Sequence, residues 1–342
     1  MNAQTLAPGN ARWMEFISKQ PAANIFHHPF WLLNLEDSYQ YRTFIVAVED
    51  ESRQIVAGVP LAEVNSRITG RRWVSLPFSD HCAPLFESET ALDALTNALI
   101  ALWRKNNIPK VELRWAYPSR PEIQATQQHV LHTAQFCKTT EEDMLGQFRR
   151  KIRYCIRTTI ERGVRVEMGT TKDHLQQFYR LQTITRKRHG IPVQPWHYFE
   201  NLGRNVLEKG LGGVLLAYAG DACIAGEVFL HFQQTVTMKY GASGNINLTD
   251  LHPNHLLDWE VIKWGCTHGY KNFDAGRSAI DNEGLRQYKA KWGYMEQPLI
   301  YSYIGSMPKE EGKMIDIINA VIRRSPLWVC RLAGELLYRH IG

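Results

Sequence analysis

Residues 44–61 read FIVAVEDESRQIVAGVPL, and residues 214–230 read VLLAYAGDACIAGEVFL. In each stretch an apolar run turns at a short polar segment and continues into a second apolar run that contains an Ala-Gly pair. Strand–turn–strand patterns of this kind predict a β-hairpin in both places.

A predicted helix and then a predicted strand follow each hairpin, with Trp103 and Trp264 at similar places near the helix ends. The same order of elements therefore occurs twice, which predicts a duplicated α/β unit. The helices are expected over residues 91–106 and 254–268, and the strands over residues 110–114 and 271–274.

The chain has 342 residues, of which 44% are hydrophobic and 22% charged, a composition typical of soluble globular proteins. The length favours about two domains. The sequence has no run of about 18 apolar residues, and residues 1–13 lack the pattern of a secretory signal. We therefore expect a cytoplasmic protein.

Six cysteines are present and none forms a CxxC pair, so reduced thiols are expected. The formal net charge of +6 permits anionic partners, such as phosphorylated small molecules, tRNA or an anionic membrane face.

Residues 141–165 predict a basic helix that stops at Gly163. Arg149 and Arg153 lie in a row with Arg157, and arginine suits bidentate contacts to phosphate. This row is a candidate to bind the phosphates of a nucleotide-linked acceptor or a carrier, and a solvated helix face is the alternative. The apolar residues recur every four positions and are expected on one helical face: Met144, Phe148, Ile152, Ile156 and Ile160.

The most informative stretch is residues 273–293, FDAGRSAIDNEGLRQYKAKWG. A strand is expected to end at Asp274, and Gly276 permits a tight turn. Arg277 then lies at the carboxyl end of the strand, where open α/β folds place ligands.

A helix follows this turn. Asp281 or Asn282 can cap its first turn, which also gains from Glu283. Lys289 lies two turns into the helix, either as a cation of the site or as an ordinary surface lysine.

Other polar residues carry competing interpretations. Glu227 follows the second Ala-Gly pair and is either a general base or a paired strand carboxylate. Asp80 and His81 follow Ser79 directly, and such adjacency argues against a catalytic triad, whose members converge from separate places. The rim of an acceptor site is the functional interpretation of Asp80 and His81, and a plain polar turn is the alternative.

His252, His255 and Asp258 have spacing that could place ligands on one helix face. No fourth ligand is apparent in the sequence, so we expect no metal.

Residues 313–342 predict two short helices broken at Ser325-Pro326. Such a basic amphipathic segment either lies on an anionic membrane surface or packs on the protein. The first apolar face comprises Ile315, Ile318, Val321 and Ile322, and the second comprises Leu327, Trp328, Leu332, Leu336 and Leu337. The bordering arginines are Arg323, Arg324, Arg331 and Arg339.

Several motifs together resemble the FemAB family and its Fem-like acetyltransferase relatives, a branch of the GNAT superfamily. The resemblance covers most of residues 25–305. The matching pieces are FDAGRS at residues 273–278, DNEGL at 281–285, YKAKWG at 288–293, YGAS at 240–243, HPNHLLDWEVIKW at 252–264, RRKIRYCIRTTIERGVRV at 149–166 and SLPFSDHCAPL at 75–85.

The resemblance implies an α/β fold of two tandem GNAT-like domains with mixed sheets, in agreement with the internal repeat. We expect an N-terminal domain over residues 1–135, an acyltransferase domain over residues 140–305 and a helical tail over residues 310–342. The implied activity is transfer of an acyl or aminoacyl group onto an amine. In the cell-wall branch the donor is aminoacyl-tRNA and the acceptor is a peptidoglycan precursor.

The resemblance also assigns roles to residues. Lys289 matches the family's Phe/Tyr-Lys position, where a lysine helps to bind the donor and stabilises charge at the attacked carbonyl. We expect Arg277 to act beside it, with Tyr240 and Asn254 lining the cleft.

Two features depart from the family pattern. The long coiled-coil arm of some cell-wall members is missing. Residues 243–255, SGNINLTDLHPNH, also lack the Gln/Arg-x-x-Gly-x-Gly/Ala pattern that precedes the pyrophosphate-binding helix of acetyl-CoA users. The donor therefore stays open between acyl-CoA and aminoacyl-tRNA.

The sequence thus predicts a metal-free Fem-like acyltransferase of cell-envelope or exopolysaccharide assembly, with a small-molecule or a nucleotide- or lipid-linked acceptor. We expect it in the cytoplasm, with the tail offering peripheral contact to the inner face of the membrane. The alternatives are a tRNA-dependent peptidoglycan-precursor aminoacyltransferase and a non-catalytic module that binds a sugar or a lipid carrier.

Overall fold

The computed structural model describes residues 1–136, 138, 140–244, 251–307 and 313–341, without the side chains of residues 313–318 and 341. The chain forms two compact units. The first unit comprises Met1–Val130, Pro298–Glu310 and Leu337–Gly342, and the second comprises Leu131–Gln297 and Glu311–Leu336.

The first unit is built on a mixed sheet in the order β1-β2-β3-β4-β6, with β5 paired to β3. Neighbouring strands are antiparallel except β4 and β6, which are parallel and are connected through α3. The elements are β1 (Asn2–Leu6), α1 (Ala11–Lys19), a 3-10 turn (Ile25–His27), α2 (Pro29–Tyr39), β2 (Arg42–Glu49), β3 (Ile55–Ser66), β4 (Gly70–Val74), β5 (Leu85–Phe86), α3 (Glu89–Lys105) and β6 (Lys110–Leu113).

The second unit has a sheet in the order β8-β9-β10-β11-β12, in which β11 and β12 are parallel and are connected through α8. Its elements are α4 (Glu141–Gly146), α5 (Arg150–Glu161), β8 (Val164–Gly169), α6 (Lys172–His189), α7 (Trp196–Asn205), a 3-10 turn (Leu207–Lys209), β9 (Gly212–Ala219), β10 (Ala222–Phe232), β11 (Thr235–Ser243), α8 (Pro253–Thr267), β12 (Asn272–Ala279) and α9 (Glu283–Lys291). The remaining elements are β7 (Ile123–Ala134), β13 (Met295–Gly305), α10 (Lys313–Arg324) and α11 (Leu327–Ile341).

The two units share one topology, and the Ala-Gly pairs have a common physical reason. A Cβ atom on Gly58 would lie 2.7 Å from Cζ3 of Trp13, which comes from α1. A Cβ atom on Gly226 would lie 3.1 Å from Cδ2 of Phe178, which comes from α6. In each unit a glycine of the second hairpin strand therefore makes room for an aromatic side chain of the preceding helix. The predicted repeat is confirmed.

The limits of the units differ from the sequence-based domains. The first unit ends its main segment at Val130, close to the predicted 135, but residues 298–310 and 337–342 also belong to it. The predicted tail is consequently divided between the units. These segments join the first unit through contacts distant in sequence, such as the pairing of β13 with β6, and local patterns carry no sign of them.

The continuous helix expected over residues 141–165 is wrong, because the chain breaks between α4 and α5. Phe148 lies at this break and is fixed by rings around it, with centroids 4.9 Å from Trp292 and 5.3 Å from Phe136. Ile160, expected on the apolar face, is exposed. The expected helix end near Gly163 is confirmed by its φ of +78°.

The cysteines that the structure describes are free thiols, and Cys137 lies outside the described residues. In the part of the chain that is described, no helix is both long enough and apolar enough to cross a membrane.

Candidate active site

In the second unit, the parallel strands β11 and β12 diverge towards their carboxyl ends. The described pairing of β11 with β12 joins Thr235–Thr237 to Asn272–Asp274, although β11 continues to Ser243 and β12 to Ala279. The strands therefore separate beyond Asp274, at their carboxyl ends. Parallel strands that separate in this way leave a crevice in which α/β folds bind ligands.

The local sequence of β12 and α9 shapes one wall of this crevice. Gly276 adopts a φ of +69°, and the Asp274 carboxylate accepts a 2.8 Å hydrogen bond from its backbone N–H. The expected end of the strand at Asp274 is wrong, because β12 continues through this irregularity to Ala279. Asn282 caps α9 by accepting a 3.2 Å hydrogen bond from the Leu285 N–H.

Lys289 is the buried residue of α9, with only 7% of its surface exposed. Its Nζ donates hydrogen bonds to the carbonyl oxygens of Gly276 and Arg277, both at 3.1 Å. The ammonium group is therefore held against the backbone of β12 at the edge of the crevice. An ordinary surface lysine, the alternative from sequence, does not describe this residue.

A pair of carboxyl groups lies near this ammonium group. Glu227 of β10 is buried and hydrogen-bonds to Asp258 of α8, and the Tyr288 hydroxyl donates to Oδ2 of Asp258. Burial raises the pKa of Glu227 well above its usual range, and the charge of Asp258 raises it further. Burial raises the pKa of Asp258 to about 6, although hydrogen bonds from Tyr288 and Glu227 favour its ionised form. The Glu227–Asp258 pair therefore holds a proton to higher pH than isolated carboxyl groups do.

This arrangement joins a fixed cation to a proton-holding pair. The charge of Lys289 favours the ionised form of Asp258, so the two groups are close enough to interact. Tyr288 links them, because it is the neighbour of Lys289 in α9 and the hydrogen-bond donor to Asp258. Glu227 is thus a paired strand carboxyl group with a raised pKa, and its role as a general base stays a prediction.

Three buried side chains nearby were missed by the sequence analysis. Among the residues that the structure describes, neither ring nitrogen of His132 nor the hydroxyls of Thr237 and Ser278 have a hydrogen-bond partner. Burial lowers the pKa of His132 to about 4, and the charge of Lys289 lowers it further, so the ring is neutral. Buried polar atoms without partners are rare and call for an unseen water or ligand. The sequence gave no signal for them, since nothing in the strand patterns shows that their polar atoms are buried without partners.

Tyr240 and Arg277 lie on β11 and β12 beyond the point where the strands separate. The Tyr240 hydroxyl is 2.7 Å from that of Tyr198 of α7. Tyr240 pairs with Val228, so it faces the side of the sheet opposite Glu227. Arg277 is half-buried in β12.

Asn254 and the arginines of α5 are more peripheral. Asn254 is exposed in the first turn of α8, four residues before Asp258 and therefore on the same helix face. Arg149 precedes α5 and is exposed, and Arg153 is half-buried one turn later. Neither arginine has an ion-pair partner within the described ranges, so the structure leaves both phosphate binding and a solvated helix face open.

Asp80 and His81 belong to the first unit, whereas all the residues above lie in the second. The backbone carbonyl of Asp80 accepts a 2.6 Å hydrogen bond from the Tyr301 hydroxyl, and the His81 ring packs 5.9 Å from Phe26. Both of these contacts lie within the first unit.

The histidines considered as metal ligands have other contacts. The His255 ring stacks on the Tyr288 ring with their centroids 5.1 Å apart. The centroid of the His252 ring lies 6.0 Å from that of His255. Asp258 is engaged by Glu227 and Tyr288. Over the described part of the chain, no group of three or more His, Cys, Asp and Glu side chains is arranged to hold a metal ion.

Part of the chain is similar to a known protein family. Residues 146–290 match the family described as an acetyltransferase (GNAT) domain. This segment contains Glu227, Asp258, Tyr288 and Lys289.

A lipid II:glycine glycyltransferase of Staphylococcus haemolyticus (strain JCSC1435) is 20% identical over 243 residues, which are 49% of this chain and 57% of the relative. A protein of the same name from Staphylococcus epidermidis (strain ATCC 12228 / FDA PCI 1200) is 21% identical over 238 residues, again 49% and 57%. The chain thus spans little more than half the length of these relatives.

Solved structures share the fold over nearly the whole chain. FemX has a TM-score of 0.69 at 15% identity and covers 89% of this chain and 97% of its own. L-PGS from Bacillus licheniformis has a TM-score of 0.57 at 11% identity, with 94% and 99% covered. A tandem GNAT protein from the clavulanic acid pathway has a TM-score of 0.56 at 9% identity, with 90% and 100% covered.

The divergent strands, the shared topology of the units and the domain match define a tandem GNAT fold, so the predicted α/β class is confirmed. The resemblance to the Fem-like GNAT acyltransferases is confirmed as well.

Proposed function

We propose that this protein transfers an acyl or aminoacyl group from an activated ester or thioester to an amine. The observation that carries the proposal is the contact of the Lys289 ammonium with the Gly276 and Arg277 carbonyls, beside the Glu227–Asp258 pair and within the GNAT domain. A fixed positive charge and a proton-holding pair at a strand divergence are what amine acylation requires.

The reaction forms a C–N bond and breaks a C–O or C–S bond. The acceptor amine attacks the carbonyl carbon, and negative charge develops on the carbonyl oxygen. Lys289 stabilises this charge, as a preorganised cation does best where water is excluded. The amine then loses a proton and the leaving group gains one. The Glu227–Asp258 pair is suited to take up the amine proton, because a base with a pKa near the working pH exchanges protons most efficiently.

In this proposal, three arginines bind the phosphate groups of the donor. Arg277 lies at the strand divergence and Arg149 and Arg153 form an open row on α5. Asn254 is assigned to the wall of the site beside Asp258, and Tyr240 is assigned to the opposite side of the sheet at the strand divergence. The donor is an aminoacyl-tRNA or an acyl-CoA. Residues 245–250, where the sequence of an acyl-CoA user would carry its pyrophosphate-binding pattern, lie outside the described residues.

The acceptor is proposed to be an amine of a cell-envelope precursor that is lipid-linked or nucleotide-linked. The names of the curated relatives support this, since they are glycyltransferases of lipid II. An acceptor of this kind places the protein in the cytoplasm, at the inner face of the membrane. The resemblance of the sequence to the cell-wall branch of the FemAB family favours aminoacyl-tRNA as the donor, in line with the basic row at the start of α5.

A donor and acceptor screen tests the proposal. Purified full-length protein is incubated with glycyl-, alanyl- or lysyl-tRNA, or with acetyl-CoA, and with lipid II or a nucleotide-linked peptidoglycan precursor. Mass spectrometry of the acceptor is expected to show the added acyl group with one class of donor. Tight acceptor binding without transfer from any donor would instead support a non-catalytic binding module.

A further inference from the structure

The last helix, α11, is fixed to the second unit by one face. Cys330 is buried, and its Sγ lies 3.5 Å from the carbonyl oxygen of Ile191. A Cβ atom on Gly334 would lie 1.8 Å from the carbonyl oxygen of Val193, so the helix backbone touches this loop directly. The orientation of α11 is therefore set, and its opposite face is held outward.

That opposite face carries large apolar side chains. Trp328, Leu332 and Leu336 are 64%, 49% and 61% exposed. They are spaced four residues apart, which places them along one side of the helix. We name these three residues the α11 stripe. Contiguous exposed apolar side chains on a fixed helix mark an interaction surface. Leu327 and Leu337 are expected from sequence on the same apolar face. Leu327 is exposed, whereas Leu337 is half-buried.

The exposed charges on α11 and at the preceding end of α10 are mainly positive. Arg324 and Arg331 are exposed, and Arg331 also lies 5.6 Å from the centre of the Tyr179 ring. The one carboxylate among the described residues of α11, Glu335, lies 3.5 Å from the ring of His197. A helix with tryptophan and leucine on one side and arginines beside them has the chemistry of an interfacial helix.

A second copy of the chain fits this surface poorly. A stable protein interface needs about 20–30 residues a side. The α11 stripe offers three, and the flanking arginines of two copies would repel each other. An anionic bilayer complements both features, because its headgroups attract arginine and its acyl boundary accepts tryptophan and leucine.

We propose that α11 docks its Trp328, Leu332 and Leu336 face into the surface of an anionic bilayer, with Arg324 and Arg331 at the headgroups. The helix lies in the plane of the interface and does not cross the membrane. This proposal is independent of the transfer reaction, because it rests on a surface that contains none of the proposed catalytic residues.

Co-sedimentation with vesicles tests the docking. Full-length protein is compared on phosphatidylcholine vesicles and on vesicles containing phosphatidylglycerol, using the triple variant Trp328→Ser, Leu332→Ser, Leu336→Ser. These side chains are exposed, so the fold should survive the change. The variant is expected to lose about tenfold or more in vesicle affinity. Ile68→Ser, which removes a 65% exposed isoleucine from the first unit, is the matched control and should bind as the unmodified protein does.

The charge contribution is tested separately. Arg324→Gln and Arg331→Gln are each expected to weaken binding to anionic vesicles about fivefold and to leave binding to phosphatidylcholine unchanged. Arg67→Gln, at an exposed site in the first unit, is the control. Equal vesicle binding by the triple variant would overturn the proposal. So would a dimer in sedimentation velocity that the triple variant abolishes. Lys289→Met should bind vesicles normally, so failure of the docking and failure of the transfer are distinguishable.

Discussion

At the residue scale, the Glu227–Asp258 pair gives the sharpest prediction from acid–base chemistry. Both pKa values are raised in the folded protein, so the folded state binds more protons than the unfolded state as the pH rises. The stability contributed by Asp258 is therefore present below about pH 4 and is lost as the pH rises through about 6. Asp258→Asn keeps an oxygen to accept from Tyr288 and removes this titration.

We expect the thermal midpoint of Asp258→Asn to fall less than that of the unmodified protein between pH 5 and pH 8. Thermal unfolding followed by circular dichroism at several pH values measures the difference. Asp281→Asn, at an exposed position before α9, is the control. Parallel curves for Asp258→Asn and the unmodified protein would show that the pair is ionised in both states.

Sequence reasoning at this scale singled out Lys289, Arg277 and Glu227, but it could not predict the contacts of Lys289. The helix after Gly276 could be predicted from its cap and its family motif, and the structure has Asn282 as that cap. The bonds from Lys289 to the Gly276 and Arg277 carbonyls depend on a strand that continues past Asp274. His132 could not be singled out, because its importance comes from burial beside residues more than 100 positions away.

At the element scale, a substitution at Gly334 of α11 has two opposing effects on the stability of the protein, a gain in helix propensity and a loss from overpacking. Replacing a helical glycine by alanine normally stabilises a helix by about 0.5–1 kcal/mol. At Gly334 the new Cβ atom would meet the Val193 carbonyl, so the helix must move. We expect Gly334→Ala to destabilise the protein by about 1–3 kcal/mol, as overpacking does.

Gly284→Ala is the matched control for this prediction, because it adds a Cβ atom in α9 whose nearest neighbour is 4.0 Å away. It should leave stability unchanged or raise it slightly. Urea denaturation of both variants gives the comparison. A stabilised Gly334→Ala protein would mean that α11 is not packed against the loop of Val193.

The basic row on α5 carries a prediction for the tRNA-dependent form of the reaction. Arg149→Gln and Arg153→Gln together should weaken tRNA binding and reduce the salt slope of log Kd by about one for each phosphate that is no longer bound. Titration of labelled tRNA at several NaCl concentrations measures both effects. Arg67→Gln is the control for a loss of surface charge. An unchanged slope in the double variant would identify the row as a solvated helix face.

Elements were predicted well where the pattern was local. Both hairpins, the helices after them and the break at Ser325-Pro326 appear as expected. The apolar spacing over residues 144–160 could not reveal the break between α4 and α5, because Phe148 is fixed there by rings of Phe136 and Trp292. The expected apolar face of α10 is also divided, since Ile322 is buried and Val321 exposed, and the side chains of Ile315 and Ile318 lie outside those described.

At the scale of the whole molecule, the repeat could be seen in the sequence because each copy has a glycine at the equivalent strand position. Gly58 makes room for the Trp13 ring in one unit, and Gly226 makes room for the Phe178 ring in the other. The assignment of residues 337–342 to the first unit was not visible. Tyr41 donates a 3.0 Å hydrogen bond to the carbonyl of Arg339, and Thr69 donates one of 2.7 Å to that of His340. A helical pattern in the sequence does not show which surface the end of that helix will meet.

The central claim is that the second unit transfers acyl groups at Lys289. Once a donor and an acceptor are found, kcat/KM should be measured for Lys289→Met and for Lys291→Met, an exposed lysine of the same helix, well below the thermal midpoint of each variant. Loss of one preorganised stabilising group costs about 10²–10³ in rate. We predict a loss of this size for Lys289→Met and near-normal turnover for Lys291→Met. Equal turnover by two folded variants would contradict the account, because the Lys289 ammonium would then only fasten α9 to β12.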